Sequence, residues 1–185
     1  AHPADPERGY GWEKLFTEQL CLYYRGEFGL ETRIVRLHNV YGPLGTYDGG
    51  REKAPAALCR KVALAEDGGE IELWGDGKQT RSFLYINDCI EGIRRFMDSE
   101  STGPLNLGTD RLVTMDELAL IIADIAGKKL RIRHVKSEPQ GVRGRNSDNT
   151  LVKETIHWEP QTSLEDGLRE TYRWIEDELK REGRV

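Results

Sequence analysis

Glu31-Thr-Arg-Ile-Val-Arg-Leu37, followed by His38-Asn-Val-Tyr-Gly-Pro43, sets a short β-branched run directly against a turn-forming stretch. The first part reads as a buried strand and the second as the loop at its carboxyl end. In open parallel sheets, ligands bind at that edge. Upstream, residues 11 to 25 carry helical patterning, with Leu15, Phe16, Leu20 and Leu22 as apolar surface and Gly26 and Gly29 ending the helix. This helix opens on Tyr10-Gly-Trp-Glu-Lys14, whose tyrosine and lysine stand four residues apart and therefore share one helix face. A free phenol has a pKa of about 10, so it serves as a base near neutrality only beside a fixed cation, which a lysine one turn away supplies. The pair is suited to taking a proton from a substrate hydroxyl. Alone, Tyr-x-x-x-Lys describes surface helix residues equally well, and the strand and loop that follow are what distinguish it.

Three further segments come in order: Gly49-Gly-Arg-Glu-Lys53-Ala-Pro-Ala-Ala-Leu-Cys-Arg-Lys61, then Trp74-Gly-Asp-Gly-Lys-Gln79-Thr-Arg81-Ser-Phe-Leu-Tyr-Ile-Asn-Asp88, then Gly141-Val-Arg143-Gly-Arg145-Asn-Ser-Asp148. With the Tyr/Lys helix and the Arg36-x-x-Asn39-x-Tyr-Gly-Pro43 loop, the chain resembles the extended short-chain dehydrogenase/reductase family over nearly its whole length. Members of that family bind NAD and rework nucleotide sugars. Ser82 departs from the aspartate usual at its place in the wider family, and a subgroup of epimerases acting on GDP-hexoses shares that departure.

The resemblance implies an α/β fold: the carboxyl-terminal part of an NAD(P)-binding, Rossmann-like, doubly wound domain interleaved with a smaller α/β nucleotide-sugar-binding lobe. Residues 1–42 would end the Rossmann-like domain, 43–80 enter the substrate lobe, 81–110 return to the first domain and 111–185 complete the lobe. The chain contains no Gly-x-x-Gly-x-x-Gly or Gly-x-Gly-x-x-Gly after a strand. The family carries that pyrophosphate-holding turn in an amino-terminal half, which is expected to lie outside this chain. The implied reaction converts GDP-mannose to GDP-L-galactose, or to the product of C5 inversion alone, through transient oxidation at C4 with NAD.

By the same resemblance Tyr10 and Lys14 are catalytic and contact the cofactor. Lys53 exchanges a proton at C3 or C5, opposite a cysteine of the half that is expected elsewhere. Asn39, Glu52, Lys53, Ala54, Lys61, Gln79, Thr80, Arg81 and Arg143 match substrate-binding positions, and a nucleotide diphosphate does need cations and forked donors. Without the resemblance Lys53 reads as a solvated loop lysine. Arg36 and Arg145 read as structural ion-pair partners, and Arg51 and Lys61 as neighbours able to lower the Lys53 pKa. A 4-epimerase or 4,6-dehydratase of the same family is the nearer alternative, and a non-catalytic nucleotide-sugar binding module the more distant one. Retention of Tyr10, Lys14 and Lys53 together speaks against the module, because a binder needs no proton relay. Family members commonly dimerise through the Tyr/Lys helix, so a homodimer is expected of the full-length protein.

Composition limits the remaining possibilities. A net charge of -5 and a sequence pI of 5.5 provide no overall positive field for nucleic acid, so an anion site must be a local cluster. No apolar run approaches the roughly 20 residues of a membrane span, and the opening Ala1-His-Pro-Ala-Asp-Pro lacks the pattern of a signal peptide. Cys21, Cys59 and Cys89 are widely spaced and make neither a zinc motif nor a disulfide framework, and His2, His38, His134 and His157 show no metal-ligand spacing. A cytoplasmic location follows as the expectation, with Cys59 and Cys89 as core thiols.

The other elements are read from local signals. A helix is expected near residues 54–65 and a strand near 70–74, followed by a tight turn at Gly75 to Gly77. Asn87 is read as the cap of a helix with Ile90, Ile93 and Phe96 on its apolar face. Residues 104–108 and 129–135 read as strands. Thr114-Met-Asp-Glu117 is a capping box for a helix ending at Gly127, and Ser163 caps a last amphipathic helix bearing Leu164, Leu168, Tyr172, Ile175 and Leu179.

Overall fold

A computed structural model describes residues 8–135 and 143–185. Helix α1 (Arg8–Phe28) leads to strands β1 (Val35–Leu37) and β2 (Val40–Tyr41), then helix α2 (Ala54–Leu64) and strand β3 (Glu70–Trp74). Next come β4 (Thr80–Arg81), β5 (Leu84–Tyr85), α3 (Ile86–Met97), β6 (Leu105–Leu107) and β7 (Val113–Thr114). Helix α4 (Met115–Ile125), β8 (Arg131–Val135), β9 (Gly144–Arg145), α5 (Thr150–Ile156) and α6 (Leu164–Arg181) complete the order. Parallel pairs join β1 to β6, β2 to β5 and β3 to β8, while β4 lies between antiparallel β7 and parallel β9. Parallel pairing requires crossovers, and α2, α3 and α4 supply them.

Two buried clusters hold these elements. In one, α2, α4 and α6 pack through Val62, Leu118, Ile122, Leu168 and Ile175 against Ile71 and Leu73 of β3. The other gathers Leu84, Phe96, Leu105, Leu107, Val152 and Trp158 around α3, β6 and α5. Each fully buried aliphatic side chain contributes about 1.5–3 kcal/mol relative to exposure. Helical spacing produces the first cluster directly, since Met115, Leu118, Ala119, Ile122 and Ala123 recur along one face of α4. The Thr114–Glu117 capping box is fully formed, and the Ser163 hydroxyl accepts from the Asp166 N–H at the start of α6.

Some local expectations give way to tertiary structure. Helix α1 continues through Gly26, and Gly29 at φ 65° is what stops it. The expected buried strand shrinks to three residues with Leu37 48% exposed, because among the described residues β1 pairs with β6 alone. Asn87 does not cap α3; the helix begins at Ile86 after extended Tyr85, so Asn87 falls within the first turn. Ile90 is exposed, and Cys89 and Phe96 turn inward with Asp88, whose carboxylate accepts from the Thr162 N–H at 2.9 Å.

Candidate active site

The carboxyl end of β3, the turn after it, β4 and the first turns of α2 border a cleft of about 610 Å³. Gly75 and Gly77 take positive φ, as a tight turn after Trp74 requires. The turn returns the chain so that Gln79 and Arg81 face α2 across the cleft. The loop entering α2 uses Gly49 and Gly50 at φ 90° and 82°. Lys53 then stands extended at the N-cap, with Pro55 in the first helical turn. No acidic residue occupies that turn and no side chain caps it, so the amino end of α2 keeps its positive character.

Asn39, Glu52, Lys53, Ala54, Lys61, Gln79 and Arg81 all line this cleft. Segments separated by up to 42 residues thus converge on one cavity. Asn39 sits at φ 41° with its amide donating to the Ser82 carbonyl at 2.9 Å. Lys61 donates to the Glu72 carbonyl at 2.8 Å and lies 6.0 Å from the Trp74 ring centroid. Burial pushes the Lys61 pKa down, and the Arg60 charge adds to that, with Glu52 opposing. Gln79 donates to the Trp74 carbonyl at 3.1 Å, while its Oε1 is buried without a protein partner. Both Glu52 oxygens are engaged, by the Gly50 N–H at 2.7 Å and by Arg60 at 3.0 Å, and hydrogen bonding holds this carboxyl below its usual range.

Thr80 and Arg143 lie outside the cleft lining. They adjoin each other, with the Thr80 N–H donating to the Arg143 carbonyl at 2.8 Å. Gly141 and Val142, which open the third motif, lie outside the described residues. Tyr10 and Lys14 also stand apart from the cleft lining, on α1. The Lys14 ammonium is 5.1 Å from the Tyr10 ring centroid, and Tyr10 is 72% exposed. The two side chains therefore present a hydroxyl and an ammonium together on an open helix face. A phenol and an ammonium so placed can donate to, or accept from, oxygens of a ligand laid along that face. Sequence reading missed Arg60, Asp48 and Trp74. A trace of Trp74 was available as the aromatic residue before Gly-Asp-Gly, whereas the contacts of Arg60 depend on a loop path that no local pattern encodes.

The model of the NAD dependent epimerase/dehydratase family matches residues 1–108. The chain belongs to this family. It is 52% identical over 182 residues to GDP-mannose 3,5-epimerase 1 of Oryza sativa subsp. indica, covering 98% of this chain and 47% of that protein. Among solved structures it superposes on UDP-glucose 4-epimerase of Thermotoga maritima, solved with UDP-glucose, with a TM-score of 0.81 at 29% identity. That match covers 92% of this chain and 54% of the other. A UDP-glucuronic acid 4-epimerase mutant of Bacillus cereus, solved with a fluorinated UDP-sugar and NAD, gives a TM-score of 0.81 at 27% identity over 96% and 56% of the two chains. The Rossmann-like α/β architecture expected from the sequence is that of this epimerase family. The chain spans about half the length of the curated relatives it matches.

Proposed function

We propose that this chain forms the proton-transfer helix and most of the nucleotide-sugar site of an NAD-dependent epimerase that inverts GDP-mannose at C3 and C5 to give GDP-L-galactose. In this reading the dinucleotide pyrophosphate is held by further polypeptide of the same enzyme. The observation that carries it is the single cleft in which Lys53 meets Lys61, Gln79 and Arg81. Its cations suit a diphosphate, and the Lys53 side chain lines the same space. Identity of 52% to a GDP-mannose 3,5-epimerase favours GDP-mannose over the UDP-sugars of more distant relatives.

NAD, when bound, supplies reversible removal of hydrogen from C4. Tyr10 takes the proton of the C4 hydroxyl, and the Lys14 ammonium stabilises the phenolate and holds neighbouring oxygens. A carbonyl at C4 acidifies the hydrogens on C3 and C5. Lys53, as free amine, accepts such a proton and becomes an ammonium, and a second acid outside this chain returns one to the opposite face. Tyr10 finally gives its proton back to O4. Thr80 and Arg143 belong to the rim of the same substrate site.

The full-length enzyme acts as a homodimer in this account, supported by the aromatic side chains that α1 leaves exposed, Trp12, Phe16, Tyr23 and Phe28. Three free cysteines, two of them buried, suit a reducing cytoplasm. Among the described residues, no helix is long and apolar enough to cross a membrane.

The test uses the complete enzyme with NAD and GDP-mannose, and follows reduced-nicotinamide absorbance alongside product. Tyr10→Phe should abolish the absorbance transient, and Lys53→Ala should retain it while losing the inverted product. Inversion at C4 alone would assign the chain to the 4-epimerases, and binding without turnover would make it a nucleotide-sugar binding module.

A further inference from the structure

We propose that Arg60 is the positioning residue for the Lys53 loop, and that Glu182 and Arg184 beyond α6 clamp that loop from its outer side. The inference rests on the reading of Lys53 as the group that exchanges protons with the sugar. The loop has little of its own to fix its path. Gly49 and Gly50 both take positive φ, and a Cβ at either would meet nothing within 4 Å, so their role is backbone freedom rather than close packing.

Arg60 restrains this loop from the second turn of α2. Its Nε donates to the Tyr47 carbonyl at 2.9 Å and its Nη2 to Glu52 Oε1 at 3.0 Å, with Asp48 Oδ1 3.6 Å from Nε. One planar guanidinium thereby holds both ends of the Tyr47–Glu52 segment, a fork that a lysine ammonium does not reproduce. The Arg60 side chain is 18% exposed and that of Glu52 10%, so these bonds are far less open to solvent than a surface pair. Lys53 follows Glu52 directly and has no side-chain cap bond of its own. Its placement is inherited from the residue before it.

The outer clamp engages the same loop. The Tyr47 hydroxyl donates to Glu182 Oε1 at 2.6 Å, and its ring meets Trp174 of α6 edge-on at 5.4 Å. Arg184 pairs with the second oxygen of Asp48 at 2.8 Å. Hydrogen bonds from Gly49 N–H and Arg184 keep the Asp48 carboxyl below its usual range, and the clamp therefore stays ionised at neutral pH. A chain of contacts thus runs from residues 182 and 184, through Tyr47 and Asp48, to Arg60, Glu52 and the backbone of Lys53.

The experiment compares Arg60→Gln, Arg60→Lys and Glu182→Gln with the unaltered complete enzyme. It follows solvent-deuterium entry at C3 and C5, the reduced-nicotinamide transient, and amide hydrogen exchange over residues 47–53. Misplacing a reacting group by about 1 Å costs roughly 100-fold, so Arg60→Gln should slow carbon exchange by about that factor. The transient should stay within about twofold of its normal rate, and the loop amides should exchange faster. Arg60→Lys and Glu182→Gln should show the same split more weakly, and they decide the matter if Arg60→Gln does not fold. Equal losses in the transient and in carbon exchange, or loop amides and carbon exchange both unchanged, would overturn the positioning role. Lys53→Ala separates the two readings: carbon exchange that survives it removes Lys53 from the chemistry, while the loop amides still report whether Arg60 holds the loop.

Discussion

Arg36 grips Glu18 through two parallel hydrogen bonds, Nε to Oε1 at 2.8 Å and Nη2 to Oε2 at 2.6 Å, tying helix α1 to strand β1. The helix carries Tyr10 and Lys14, and the strand leads to Asn39 at the cleft. This fork therefore orients the helix face that bears Tyr10 and Lys14 relative to the strand that leads to the cleft.

Its removal has a stability signature in acid. The bond from Arg36 holds the Glu18 pKa below its ordinary value, although burial opposes it. A carboxyl depressed in the folded state adds stability above its unfolded pKa of about 4.3, and that stability is lost as pH falls through the folded pKa. Glu18→Gln should cost about 1 kcal/mol at neutral pH for this half-exposed fork. Its urea midpoint should converge on that of the unaltered protein as the solution is acidified below about pH 4, and a constant offset down to the lowest pH would remove the ion pair as the cause.

Gly77 sits at φ 71° in the turn that delivers Gln79 and Arg81, and an added Cβ would run into the Asp116 carboxylate. Gly77→Ala should lower unfolding free energy by about 1–3 kcal/mol and weaken nucleotide binding with it. Gly26, helical and with nothing within 4 Å of an added Cβ, should instead gain up to about 1 kcal/mol on conversion to alanine. Chemical denaturation of both variants checks the contrast.

Lys61 should set the alkaline limit of binding in the cleft. Because burial and Arg60 lower its pKa, its ammonium is lost at a lower pH than that of an ordinary lysine. Binding of GDP to the complete enzyme should weaken as pH rises through that range, and Lys61→Arg should remove the alkaline limb. Lys61→Met should weaken binding by about 1–3 kcal/mol and flatten its salt dependence. Titration calorimetry across pH would expose an unchanged alkaline limb in the arginine variant, which would place the titrating group elsewhere.

Thiol labelling should be selective. Burial raises the pKa of Cys59 and of Cys89, whereas Cys21 is only partly buried on α1. Brief alkylation of the native protein followed by mass spectrometry should mark Cys21 first, with Cys59 reacting only on unfolding.

What the sequence revealed was what neighbouring residues decide. The Thr114–Glu117 box, the Ser163 cap and the Gly75–Gly77 turn each close within a few residues, so their types and spacing suffice. The inward face of α3 depended on β6 and α5, which is why Phe96 could be read as core and Ile90 was misplaced. Likewise the apolar residues of α1 were legible as hydrophobic, yet Phe16 is 62% exposed among the described residues. At the site, cleft residues within recognisable segments were found, and Arg60 was not, because its acceptors lie eight and thirteen residues away along a glycine loop.

In the proposed function, Lys53 and its cleft invert carbon centres beside a transient C4 carbonyl. The decisive experiment incubates the complete enzyme with GDP-mannose and NAD in deuterated water and reads C3 and C5 by NMR. Deuterium should enter at C3 and C5 together with inverted product, and Lys53→Ala should stop that entry. Inversion confined to C4, with no deuterium at either carbon, would remove Lys53 and its cleft from the chemistry.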